Sequence, residues 1–189
     1  MDKKIIISVV VPIYNEEKSI PSLVDQIVDV MRSSGEEFEL VLINDGSTDR
    51  SMDVMKELCK KVPELFCVLL RKNYGQTAAM AAGFDVAKGE IIVTLDGDLQ
   101  NDPEDIPLLV SKIRDGFDLV SGWRHKRKDS VISRKLPSKF ANYLIARVTG
   151  VRLNDYGCSL KAYKKEVLAD IRPYGELHRF LPVLANIEG

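Results

Sequence analysis

The chain has 189 residues, 45% of them apolar and 29% charged, with a net charge of −1. That is enough for one domain with a sizeable core, and the charge balance gives no reason to expect a nucleic-acid partner. No run approaches the roughly 18 apolar residues of a membrane span, and Met1-Asp2-Lys3-Lys4 lacks the apolar stretch and cleavage site of a signal peptide. Cys59, Cys67 and Cys158 are odd in number and form no C-x-x-C pair, so the expectation is buried apolar thiols in a reducing compartment. There is no G-x-G-x-x-G and no Walker A sequence, which weighs against a dinucleotide oxidoreductase and a P-loop enzyme.

Ile5 to Val11 is a continuous β-branched run, the pattern of a strand covered on both faces, and Pro12 is expected to end it. Ser19 is placed to cap a helix with Pro21 in its first turn. Ile20, Leu23, Val24, Ile27, Val30 and Met31 recur at helical spacing, and Gly35 closes the segment. Phe38 to Ile43 reads as a second buried strand. Asn44-Asp45-Gly46-Ser47-Thr48-Asp49 is a turn and cap cluster, followed by a helix to about Lys61. Phe66 to Leu70 is a third strand, and Arg71 to Gln76 a polar loop. Thr77 to Ala87 is a helix of small residues suited to close packing on a sheet.

Ile91-Ile92-Val93 is a fourth strand that runs out into Thr94-Leu95-Asp96-Gly97-Asp98-Leu99-Gln100. Carboxylates at i and i+2 can converge where a strand ends and the chain turns, and Gly97 lets the backbone bend or be approached. Mg²⁺ is typically held by one or two carboxylates plus substrate phosphates. Asp96 and Asp98 therefore read as half of a metal site that a diphosphate completes; the alternative is a polar turn with two solvated acids. Asp102, with Pro103 after it, caps a further helix, and Phe117 to Ser121 is a fifth strand.

Strands alternating with helices at these lengths argue for an α/β fold with a mostly parallel sheet. In such sheets ligands bind outside the carboxyl ends of the strands. That rule gathers Pro12, Tyr14, Asn15 and Glu16, Asp45, Asn73 to Gln76, and Asp96-Gly97-Asp98 around one crevice.

After Gly122 the character changes. Residues 124–139 hold seven basic residues against one acid, Asp129. Residues of about 131–149 read as an amphipathic helix, with Leu136, Phe140 and Leu144 on one side and Arg134, Lys135 and Arg147 among its cations. Such a helix either lies in a membrane interface or covers a sheet edge as a solvated face. The expected division is a nucleotide-sugar half over 1–122 and an acceptor half over 123–189.

Val11-Pro12-Ile13-Tyr14-Asn15-Glu16, Ile43 to Asp49, Asn73-Tyr74-Gly75-Gln76 and Leu95 to Gln100, in this order and each at a predicted strand end, resemble the GT-A inverting glycosyltransferases of family 2. Asp155-Tyr156-Gly157-Cys158-Ser159-Leu160-Lys161-Ala162-Tyr163, followed by Phe180 to Asn186, looks like the branch that moves a sugar onto a polyprenyl phosphate. Dolichyl-phosphate mannosyltransferases, undecaprenyl-phosphate glucosyltransferases and the aminoarabinose transferase of lipid A modification belong to it.

The resemblance implies that Pro12, Tyr14 and Glu16 line a nucleoside pocket, with Ile43 and Asp45 at base and ribose and Asn73, Gln76 and Gly97 on the donor. Asp45 would accept from a pyrimidine N–H or a ribose hydroxyl, or else act as a turn residue bonding its own backbone. Asp96 and Asp98 match the metal-binding pair, with Gln100 beside them, for Mg²⁺ or Mn²⁺ acting as a Lewis acid on the leaving diphosphate. Arg124 matches an arginine that grips phosphate oxygens. Asp155, with Asp98, is the catalytic candidate. A phosphate acceptor has a second pKa of about 6 and is largely dianionic at neutral pH, so Asp155 orients it more than it deprotonates it. His125 and His178 are read as structural or solvated.

The partners implied are a nucleotide-sugar, UDP favoured, a polyprenyl phosphate, and the cytoplasmic face of a membrane; a homo-oligomer is left open. Members of this branch continue into a basic loop and often two membrane helices, so the end at Asn186-Ile187-Glu188-Gly189 is read as a truncation. Two other readings stay open: a transferase acting on a saccharide or protein hydroxyl, and a nucleotide-binding pseudoenzyme domain. A sugar-phosphate nucleotidylyltransferase would show a glycine-rich loop with Arg after the first strand, and Pro12 to Glu16 is not one.

Overall fold

The computed structural model describes residues 4–122 and 158–169. Arg124, Asp155, both histidines, the 131–149 helix and the C-terminal stretch lie outside the described residues, and so does most of the expected acceptor half.

Six strands form one mixed sheet. β1 (Ile7–Ile13), β2 (Phe38–Asn44), β3 (Leu65–Leu69) and β4 (Ile91–Thr94) are mutually parallel, and β5 (Leu119–Ser121) and β6 (Lys161–Lys164) complete it in the order β3-β2-β1-β4-β6-β5. β6 is antiparallel to both of its neighbours, β4 and β5. The chain leaves β1 toward β2 and β3 on one side and returns at β4 on the other. A crevice opens at such a reversal of strand order, outside the carboxyl ends.

The continuous apolar runs have the predicted consequence: nearly every residue of β1 and all of β2 are buried. Ile7, Val9, Val11 and Ile13 face one layer, formed by α1 (Ile20–Ser34), α2 (Ser51–Cys59) and α4 (Ile106–Arg114). Val10, Val41, Ile43, Ile92 and Tyr163 face the other, formed by α3 (Gln76–Val86) and α5 (Lys165–Ala169). Six apolar residues of α1 are buried against the sheet, each worth about 1.5–3 kcal/mol as an upper estimate. The small-residue helix α3 packs as closely as its composition suggests. A Cβ at Gly83 would stand 2.5 Å from Val10 Cγ1 and 2.8 Å from Ile43 Cδ1.

Four expectations need correction, and one strand is added to them. Pro12 does not end β1 but pairs with Ile43 inside it. β4 reaches only as far as Thr94, opposite Val10, so at Pro12 that side of β1 is an edge where a missing N–H is tolerated. Ser19 occupies the N-cap of α1 in a helical conformation without capping through its hydroxyl. That hydroxyl donates instead to the Glu16 carboxylate at 2.5 Å, while the Glu16 carbonyl accepts from the Ser19 and Ile20 amides. Asp102, in contrast, accepts from the Glu104 amide at 3.0 Å as a cap should, over the 3₁₀ turn Pro103–Asp105 that opens α4. β6 was not expected as a strand, because Lys161-Ala162-Tyr163-Lys164 is short, charged at both ends and paired only with distant segments. Phe117 lies exposed before β5 rather than in it. Cys158 is buried, but Cys59 and Cys67 are half-buried and joined in a disulfide that ties the end of α2 to β3. Packing of α2 on β3 brings these two residues together, which spacing alone does not reveal. Among the described residues no helix is long and apolar enough to cross a membrane.

Candidate active site

The ends of β1 and β2 are locked together by side chains that cap backbone. Asn15 has φ of 56°, a conformation asparagine tolerates better than most residues. Its Oδ1 accepts from the Thr48 amide at 2.8 Å and the Asp49 amide at 3.3 Å, and its own amide donates to Ser47 Oγ. The Glu16 amide donates to Ser51 Oγ, and the Glu17 amide to Asp49 Oδ2. Partial burial pushes the Asp49 carboxyl up, but bonds from Ser51 and from the Ser51 and Glu17 amides outweigh it and hold the group below its ordinary value.

Asp45, just beyond β2, is 3% exposed. Its Oδ1 accepts from the Tyr74 amide at 2.8 Å and its Oδ2 from the Gly75 amide at 2.9 Å. These bonds run to a distant loop rather than to its own turn. The carboxylate fixes a loop 29 and 30 residues further along the chain. Gly46 makes the approach possible: at φ +65°, any Cβ there would overlap the Lys72 backbone and stand 2.5 Å from Asn73 N. Lys72 sits over the Tyr74 ring, 5.2 Å from its centroid.

At the end of β4 the bonding is sparser. Asp96 Oδ1 accepts from Gln76 Nε2 at 2.6 Å, at the first residue of α3. Among the described residues Asp98 Oδ1 accepts from the Gln100 amide alone, at 3.1 Å. The Oδ2 atoms of both acids have no partner among the described residues. A Cβ at Gly97 would come within 2.8 Å of Ile13 Cδ1, so a glycine lets β1 and this turn close up. Leu99 takes φ of 61° to reverse the chain. Asn101 Nδ2 then donates to Ser159 Oγ at 2.6 Å, and Thr94 Oγ1 to the Ser159 carbonyl at 2.8 Å. These two bonds fasten the acidic turn to the segment entering β6.

Pro12, Tyr14, Glu16, Asp45, Asn73, Gln76, Asp96, Gly97 and Asp98 line one open crevice of about 310 Å³, within the size range of small-molecule sites. Ile43 is not on its wall: the side chain is fully buried under α3. Gln100 stands exposed beyond the turn, also off the wall. Larger hollows lie beside α4 and at the α2–β3 corner, away from these strand ends, and their acids stand among arginine and lysine side chains.

Among the described residues no three His, Cys, Asp or Glu side chains cluster as a closed metal cage. Two carboxylates that line one crevice, each with an oxygen that has no partner among the described residues, fit a hard divalent cation whose remaining ligands are phosphate oxygens and water. Sequence reasoning missed the bridging role of Asn15, the Asn101–Ser159 tie, and Lys161. For Lys161 a signal was there: a lysine between Leu160 and Ala162 in a stretch that otherwise reads as buried.

Three comparisons bear on this site. The chain is 50% identical over 178 residues to dodecaprenyl-phosphate galacturonate synthase of Rhizobium johnstonii, covering 93% of this chain and 53% of that protein. It is 45% identical over 182 residues to undecaprenyl-phosphate 4-deoxy-4-formamido-L-arabinose transferase of Shewanella sediminis, covering 95% and 54%. The chain thus spans about half the length of these relatives. Among solved structures, glucosyl-3-phosphoglycerate synthase of Mycobacterium tuberculosis with Mn²⁺, UDP and product superposes with a TM-score of 0.69 at 23% identity, over 88% of this chain and 59% of that one. A mannosyltransferase of Pyrobaculum calidifontis with GDP-mannose and Mn²⁺ gives 0.66 at 23% identity, over 92% and 48%. These two likenesses show that the sheet and its helices form a GT-A-like fold. Residues 8–172 match the sequence profile of Glycosyl transferase family 2, and with relatives this similar over nearly its whole length the chain belongs to that family.

Proposed function

We propose that this chain carries the catalytic domain of an inverting, metal-dependent glycosyltransferase. It moves a sugar from a nucleotide-sugar, UDP favoured, to a polyprenyl phosphate at the cytoplasmic face of a membrane. The observation that carries this reading is the pair Asp96 and Asp98, whose Oδ2 atoms have no partner among the described residues, lining a crevice at the reversal of strand order. The acceptor class is supported by the two relatives named for dodecaprenyl and undecaprenyl phosphate.

Each residue has a task that follows from its surroundings. Pro12, Tyr14 and Asn73 shape the nucleoside end, and Asp45 holds the 73–76 loop against it. Gln76 fixes one oxygen of Asp96 and leaves the other without a partner among the described residues. Asp96 and Asp98 would hold Mg²⁺ or Mn²⁺. When bound, such an ion supplies positive charge to the departing diphosphate. Arg124 and Asp155 are proposed on family resemblance for acceptor binding and orientation, with the basic 124–139 stretch attracting an anionic lipid surface.

Calorimetric titration of UDP in the presence and absence of Mn²⁺ tests this reading. Binding that needs the ion, and is lost in Asp96→Ala, supports it; binding indifferent to the ion removes the metal site. Transfer to short-chain polyprenyl phosphate but not to soluble saccharide supports the acceptor class, and the opposite preference overturns it.

A further inference from the structure

The turn that carries Asp96 and Asp98 is held at both of its ends by one residue. Before it, Thr94 Oγ1 donates to the Ser159 carbonyl at 2.8 Å; after it, Asn101 Nδ2 donates to the Ser159 hydroxyl at 2.6 Å. These partners lie 65 and 58 residues apart in the chain. Asn101 is 7% exposed, so its amide group has little water to fall back on. Ser159 is a firm base for such a clasp. Its neighbours Cys158 and Leu160 are buried, the Leu160 carbonyl accepts from the Gly122 amide at 2.8 Å, and β6 begins at Lys161.

The turn needs holding. Leu99 takes φ of 61°, a left-handed conformation that is unfavourable for a residue with a side chain and lasts only where its surroundings impose it. Asp96 and Asp98 stand two residues apart on a crevice wall that also carries Glu16 and Asp45, and like charges gathered there push the turn open. The bonds from Gln76 to Asp96 and from the Gln100 amide to Asp98 each fix a single oxygen, and neither joins the turn's two ends. Strain and repulsion both fall within residues 96–99, between the two points that Ser159 ties down.

We propose that the Asn101–Ser159 bond is a positioning device for the metal pair: it closes the turn, so that the Asp96 and Asp98 carboxylates are set for one divalent ion before the ion arrives. The inference rests on reading these acids as metal ligands. Asn101 and Ser159 are positioning residues, since neither lines the crevice. Groups that support metal ligands from outside the coordination shell typically change metal affinity by tenfold or more when removed.

The test takes Asn101→Ala, Ser159→Ala and the double variant in the full chain. Two quantities are read on the same samples: unfolding by denaturant without metal or nucleotide, and the Mn²⁺ concentration that half-saturates UDP binding in calorimetry. In unfolding, the double variant loses about fivefold less in folding constant than the product of the two single losses. Each single variant needs roughly tenfold more Mn²⁺ than wild type. The double variant needs no more than either single one, and Ser159→Thr, which keeps the hydroxyl, needs as much as wild type. A bond that served stability alone would leave the Mn²⁺ requirement where it is. If Asn101→Ala does not fold, Asn101→Leu takes its place in both arms. Additive losses in unfolding, or an unchanged Mn²⁺ requirement in folded Ser159→Ala, overturn the proposal. Wild type whose UDP binding ignores Mn²⁺ overturns the metal reading and this proposal with it. Wild type that needs the ion, with variants that need no more of it, overturns this proposal alone.

Discussion

The ends of β1 and β2 and the end of β4 are built from the same kinds of residue, Asn, Asp, Gly and Ser, yet they spend their acids differently. At β1 and β2 the acids bond chain: both oxygens of Asp45 take backbone amides, and Asp49 takes those of Glu17 and Ser51. At β4, Asp96 and Asp98 each commit one oxygen, and the other has no partner among the described residues. A carboxylate with both oxygens bonded to backbone amides holds the chain in place. One that keeps an oxygen is available to a ligand. Composition cannot separate the two; the bonding does.

Substitutions should divide along this line. The largest loss is expected from Gly46→Val, which forces a branched side chain at positive φ into the Lys72 backbone; about 3 kcal/mol or more should go in chemical denaturation. Asp45→Ala strands two amides beside a buried position and should cost about 2–3 kcal/mol, with earlier proteolysis in the 72–76 loop as a local readout. Asn15→Ala removes the acceptor for Thr48 and Asp49, at about 1–2 kcal/mol.

Asp49 offers a pH test. Its folded pKa lies below the ordinary 3.8. Its contribution is therefore complete above the unfolded value and is lost as pH falls through the folded one. A stability titration should show Asp49→Asn losing that acid-side slope. The smallest stability change is expected at Asp98→Asn, within about 0.5 kcal/mol, since the asparagine oxygen still accepts from the Gln100 amide.

Most of the sheet could be read from the chain because β1, β2 and β4 are continuous apolar runs and α1 repeats at helical spacing; hydrophobic burial acts locally enough to leave that mark. What could not be read depends on distant partners. β6 exists because β4 and β5 lie on either side of it. The Cys59–Cys67 link depends on α2 packing against β3. Ser19 has the right residue type for a cap, but the Glu16 carboxylate competes for its hydroxyl. At the site, sequence marked Asp45 as readily as Asp96 and Asp98. The amides bonded to Asp45 come from residues 74 and 75, so these bonds were invisible until the loops were placed. Ile43 illustrates the converse: it lies beside the turn in sequence, yet its side chain belongs to the core under α3.

The division between carboxylates bonded to the backbone through both oxygens and those with an uncommitted oxygen is tested most directly by calorimetric titration of UDP with Mn²⁺ into wild type and Asp98→Asn, with unfolding measured on the same samples. The expected result is unchanged stability in Asp98→Asn with Mn²⁺-dependent affinity reduced at least tenfold, a loss of about 1.4 kcal/mol. Asp98→Asn that binds UDP and Mn²⁺ as wild type does would contradict the assignment of the uncommitted oxygens to the ligand.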